Sequence, residues 1–431
     1  MGRTFTFRCP SFVTRRRFLW LSAVAGGTLL VGCGGEETSS AGAPGSATTF
    51  DEANGDGEQP AEQGNSGTSA TGNDAAAIAA ERAGVMTLEQ KVAQLFMVAP
   101  EALVEEVSQV TQAGDMTHEG VKTWPVGGIV YFAQNALDPD QVTTMLSNVR
   151  AFYEQDGSPV PFLAVDEEGG SVVRIAGNEA FGVSDVGDAA ALGAAGDAEA
   201  AKQAAVDIVT YLKPLGFNMD FAPVCDVVDP TRSDTMGLRS FSSDATVAAD
   251  MVRAQVEGFL SQGMLCCAKH FPGIGAAAGD SHTGAITIDK TVEELEAVDL
   301  VPFKAAIEAD VPFVMVGHLN LPSIIGDETP APLSPKVVQE LLREKLGYTG
   351  VVITDSLAMG AITDRYSSSE AAVAALKAGC DIPLMPENFK EAYQGVLDAV
   401  AAGDLSEDRI TESAVRILTV KAQYLGLRAG S

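Results

Sequence analysis

Lys269, His270, Asp280 and His282 crowd into one stretch, residues 269–282, which holds two of the four histidines in the chain. The run Met264-Leu265-Cys266-Cys267-Ala268 just ahead of them is apolar throughout and reads as a buried strand. Past Phe271 the composition turns to Gly and Ala, which reads as a loop. A cation, an imidazole and an Asp-x-His pair on one strand end and its loop are sufficient for proton transfer. Asp280 could accept a hydrogen bond from one ring nitrogen of His282, fix its tautomer, and leave the other nitrogen to handle a substrate proton. The competing reading is a polar loop with a satisfied histidine.

Further polar groups follow other apolar runs. Asp355 comes directly after the β-branched run Val351-Val352-Ile353-Thr354, and Asp166-Glu167-Glu168-Gly169-Gly170 follows residues 161–165, with Arg174 shortly beyond. Asp226 and Arg239 follow residues 218–222. Position alone leaves Asp166 as open to a helix-capping role as to function and Arg174 to a surface ion pair, and for Asp355 it favours capping the next helix. Arg239 offers a pair of fixed donors that a lysine cannot match. No His, Cys and carboxylate cluster has metal-ligand spacing, and no Gly-x-Gly-x-x-Gly follows a strand, so neither a metal nor any other cofactor is expected.

These motifs together resemble glycoside hydrolase family 3, specifically its bacterial β-N-acetylglucosaminidases. That family usually reads Lys-His-Phe-Pro-Gly-His-Gly-Asp-Thr followed by Asp-Ser-His; here Lys269 to Gly273 and Asp280 to His282 match, while Ile274, Ala276 and Ala277 depart. The resemblance extends to Asp166-x-Glu168-Gly-Gly-x-Val-x-Arg174, to Ala222-Pro-Val-x-Asp226-Val, to Gly237-x-Arg239-Ser-Phe, and to Thr354-Asp355-x-Leu-x-Met359. It implies Asp355 as the nucleophile and Asp280-His282 as the acid/base dyad. It implies Asp166, Arg174, Arg239, Lys269 and His270 as sugar contacts, Asp226 as a loop brace, and His318 as a pocket-wall residue. The activity implied is retaining exo-hydrolysis of terminal β-linked N-acetylglucosamine, with peptidoglycan fragments as the natural substrate. Rival readings are substrate-assisted hydrolysis through Asp166-Glu167, a Schiff base on Lys269, a glycosidase or phosphorylase of different sugar preference, and a sugar-binding lipoprotein without turnover.

To gather such residues in one place, the chain needs strands that end together. Eight apolar runs alternate with helical patterns: 94–99, 127–132, 161–165, 218–222, 264–268, 313–317, 351–354 and 381–385. Helix starts are marked by Thr87-x-x-Gln90, Thr291-x-x-Glu294 and Ser334-Pro335, with Gly347 ending the last. The expected fold is α/β, a (β/α)8 TIM-type barrel forming a single catalytic domain over residues 76–431. A doubly wound open sheet is the rival.

The N-terminus reads as a targeting segment. Thr14-Arg15-Arg16-Arg17-Phe18-Leu19 resembles a twin-arginine signal, and Leu30-Val31-Gly32-Cys33 resembles a lipobox. Residues 1–32 are thus expected to be a signal peptide and Cys33 the lipidated residue, with the protein anchored on the outer face of the cell membrane by its lipid alone. Residues 33–75, rich in Gly, Ser, Thr and acids, cannot bury enough apolar surface to offset chain entropy and read as a disordered tether. With 28 Lys and Arg against 58 Asp and Glu, the net charge of -30 argues against nucleic acid as a partner; the partner that the resemblance implies is carbohydrate. The oligomeric state is not legible. Cys225, Cys266, Cys267 and Cys380 sit in or beside apolar runs and read as buried thiols.

Overall fold

The strands form where apolar, largely β-branched runs can be covered on both faces, as a parallel sheet requires. They are β1 (Met97–Val98), β2 (Gly128–Val130), β3 (Phe162–Val165), β4 (Met219–Asp220), β5 (Leu265–Phe271), β6 (Ile286–Thr287), β7 (Phe313–Val316), β8 (Leu319–Asn320) and β9 (Val351–Thr354). The computed structural model describes residues 72–104, 107–229, 231, 235–275 and 286–429. Within it, seven parallel strands are ordered β1-β2-β3-β4-β5-β7-β9, and β6 pairs with β8 separately. The register sets Val165 beside Asp220 and Val316 beside Thr354. Residues that follow these positions therefore leave the sheet along one edge, which fixes where the site can form.

Helices with one apolar stripe cover the sheet. In Ala245–Ser261, buried Ala248, Met251, Val252, Gln255, Val256 and Phe259 recur at helical spacing. The capping boxes at Thr87 with Gln90 and at Thr291 with Glu294 are formed as the sequence suggests, and a third stands at Ser367 with Glu370. The helix after Pro335 is π-type, Lys336–Lys345, and Gly347 beyond it takes a left-handed φ of 71°.

Three boundaries differ from expectation. Gln94 closes the helix Leu88–Gln94, so the first strand begins later, at Met97. β5 runs on to Phe271 and so includes Lys269 and His270, because polar side chains at its end are satisfied by ion pairs and do not terminate it. The helix Gly72–Val85 starts inside the stretch assigned to the tether. It packs Ala79 and Ala83 against Leu418 of the C-terminal helix, Glu407–Tyr424. Residues 1–71, with Cys33 and both export motifs, lie outside the described residues.

The eighth expected strand also differs. Residues 381–385 make only isolated parallel bridges, Ile382 with Ile353 of β9 and Leu384 with Met97 of β1. The architecture shown is a curled, seven-stranded parallel α/β sheet with outer helices, not a complete eight-stranded barrel. Asp381 explains the short pairing. Its buried carboxylate takes the Val352 N–H at 2.9 Å, Arg343 at 2.5 Å, Ser413 at 2.6 Å and Arg416 at 3.1 Å. The C-terminal helix therefore lies across the N-terminal ends of the strands. Its Lys421 reaches Gln94 at 2.7 Å and sits over the Phe162 ring.

Candidate active site

β5 delivers a buried ammonium to the strand ends. Lys269, 2% exposed, lies 2.8 Å from Asp166 and 2.6 Å from Glu168. Glu168 also accepts two parallel bonds from Arg239, both 2.7 Å, in the fork geometry that makes such pairs strong. Burial pushes the Glu168 carboxyl up, but Arg239 and Lys269 outweigh it and hold the group well below the usual range. Burial pulls Lys269 down, yet Asp166 and Glu168 keep it above its ordinary value. The ammonium stays charged, which argues against a Schiff base on Lys269, since that chemistry needs the free amine.

The backbone after β3 is extended, so neighbouring side chains alternate in direction. Asp166 and Glu168 turn to Lys269, while Glu167 turns the other way and binds backbone N–H groups of Arg174, Ile175 and Ala176. The Asp166-Glu167 acid pair is thus not assembled. The Arg174 guanidinium is half-buried and has no ion-pair partner among the described residues.

Asp226 organises the next segment. Its buried carboxylate faces His270 Nδ1 at 2.8 Å and accepts the Ile274 N–H at 2.7 Å. With Nδ1 donating, Nε2 of His270 is the acceptor nitrogen left over. The same carboxylate fixes the start of the loop that leads to residues 276–285. Those residues, Asp280 and His282 included, lie outside the described residues.

Asp355 leaves β9 half-buried, with its N–H on the Val316 carbonyl at 2.9 Å and its carboxylate accepting the Ser356 N–H at 2.7 Å. Burial acts upward on this carboxyl, but His318, His270, the Ser356 N–H and Lys269 together hold it below its ordinary value. An ionised, partly desolvated carboxylate at a strand end can attack an electrophilic carbon. His318 stands 2.7 Å from the Ser356 carbonyl, buttressing the turn after Asp355.

Asp166, Arg239, Lys269, His270 and Asp355 are therefore joined by direct bonds or by mutual electrostatic influence. The sequence alone assigns no role to Glu168 or Asp220, and Glu167 enters there only in the rival acid pair with Asp166. Glu168 was detectable in principle, because an Asp-x-Glu pair after a strand shares one face. His118 is elsewhere, stacked on Phe152 and 3.2 Å from Asp156. The four described cysteines are free and buried. Among the described residues, no group of three or more His, Cys, Asp or Glu is placed to hold a metal ion.

The glycosyl hydrolase family 3 N-terminal domain matches residues 87–420, and the chain belongs to that family of glycoside hydrolases. It is 34% identical to beta-hexosaminidase LpqI of Mycobacterium tuberculosis (strain ATCC 25618 / H37Rv) over 80% of this chain and 87% of that protein. It is 32% identical to beta-hexosaminidase A of Pseudoalteromonas piscicida over 71% of this chain, but it spans only 54% of that relative. Among solved structures, the family 3 β-N-acetylglucosaminidase from Paenibacillus sp. str. FPU-7 superposes with a TM-score of 0.74 at 37% identity, covering 79% of this chain and 63% of the other.

Proposed function

We propose that the protein is a β-N-acetylhexosaminidase that releases terminal β-linked N-acetylglucosamine with retention of configuration. The observation that carries this reading is Asp355, kept ionised at a strand end beside an array of groups able to hold sugar hydroxyls: Asp166, Lys269, Arg239 and His270. Asp355 attacks the anomeric carbon while His282, oriented by Asp280, protonates the leaving oxygen. The glycosyl ester on Asp355 is then cleaved by water, His282 taking the proton. An imidazole in this role departs from the usual pair of carboxyl groups. Arg174 extends the sugar contacts.

Several wider assignments belong to the same proposal. The bridges made by residues 382 and 384 to both edge strands support closure as a (β/α)8 barrel. Residues 76–431 would be its catalytic domain, residues 1–32 an export signal, and residues 33–75 a tether lipidated at Cys33. Export to the outer face of the cell membrane makes peptidoglycan fragments the natural substrate.

Turnover of 4-nitrophenyl β-N-acetylglucosaminide, with the product anomer followed by NMR, tests the reading. Asp355→Ala should lose on the order of 10⁴-fold in kcat, His282→Ala about 10²–10⁴-fold, and the first product should be the β-anomer. An α-anomer, or full turnover without the Asp355 carboxylate, would reject it.

A further inference from the structure

Glu167 is fully buried between two residues that face Lys269, yet it touches neither that cation nor Arg239. Its carboxylate instead accepts three consecutive backbone N–H groups: Arg174 at 2.6 Å, Ile175 at 2.9 Å and Ala176 at 2.8 Å. A fourth donor, the Tyr211 hydroxyl, lies 3.1 Å away. Glu167 is itself held, because its own N–H is on Asp220 at 2.9 Å and Asp220 is fully buried at the end of β4. A carboxylate offers acceptor sites on both oxygens, which is what three amides and a hydroxyl converging on it require. No other common side chain of this length meets that demand without leaving a buried donor facing a donor.

We propose that Glu167 is a positioning residue for Arg174: by gripping the backbone of residues 174–176 it aims the Arg174 guanidinium at the substrate and so sets affinity for the sugar. The inference rests on the reading that Arg174 contacts the sugar. The anchor lies on one side of the extended segment and the Asp166 and Glu168 ion pairs on the other. A single strand end thus places both the inner sugar-binding groups and the backbone of the outer arginine. Arg174 needs this anchor because no carboxylate among the described residues holds its side chain in place.

The test compares wild type, Glu167→Gln, Arg174→Ala and the double variant on 4-nitrophenyl β-N-acetylglucosaminide, with thermal midpoints measured alongside. The glutamine keeps the volume but turns an NH2 group toward one of the three amides. The expected result is a KM raised about tenfold in both single variants, with kcat within about threefold and no further rise in the double variant, as for two residues acting as one unit. Arg174→Ala with unchanged KM would remove the sugar-contact reading and this inference with it. Arg174→Ala with a raised KM, but Glu167→Gln with KM unchanged or with losses that add to those of Arg174→Ala, would overturn the inference alone. A lowered midpoint with kcat reduced and KM intact would make Glu167 only a fold-stabilising residue, which also overturns it.

Discussion

Asp355 keeps its charge through a balance in which burial acts against ionisation, and His318, His270, the Ser356 N–H and Lys269 act for it. If Asp355 is the nucleophile, only the ionised form works, and the acid limb of kcat/KM lies below the ordinary carboxylate range. His318→Asn removes the largest of the favourable influences, so the Asp355 carboxyl should titrate higher and the acid limb should move to higher pH. A limb that stays in place in a kcat/KM profile from pH 3 to 8 would assign it to another group. The position of Asp355 was legible because a β-branched run stops at it. The partners that tune it were not, since His270 and His318 come from other strands and only the fold brings them within range. Glu167 shows the same gap: beside Asp166 and Glu168 it reads as one more acid, and only alternation along an extended backbone separates it from them.

At the scale of elements, close approach fixes the Arg239 segment. Gly193 lies in the helix Ala189–Ala195, and a β-carbon there would overlap the carbonyl oxygen of Phe241, two residues past Arg239. Gly193→Ala should therefore cost about 1–3 kcal/mol, read as a lowered denaturation midpoint, and, if Arg239 holds the sugar, should raise KM. An unchanged midpoint would mean that the helix shifts freely. Strands whose faces are both covered were legible as apolar runs, as in β3, β7 and β9. Residues 381–385 show the limit: the run is apolar, but Asp381 at its start is committed to arginines from outside the sheet. β6 and β8 were missed because two-residue strands carry no period to detect.

The whole molecule is strongly acidic, yet at the N-terminal strand ends one carboxylate serves several cations. Asp381 stands among Arg343, Arg409 and Arg416. Asp381→Ala would leave the buried Arg343 guanidinium uncompensated beneath the sheet, while Arg409 and Arg416 keep Glu412, and should cost about 3–5 kcal/mol, measurable by urea denaturation; a loss under about 1 kcal/mol would show that solvent reaches Arg343. That same face receives the helix Gly72–Val85, laid against the C-terminal helix, whereas Asp166 and Asp355 emerge at the opposite strand ends. A bead or sensor chip grafted ahead of Gly72 would thus approach the molecule from beneath, leaving the carboxylates turned outward to whatever polymer drifts past.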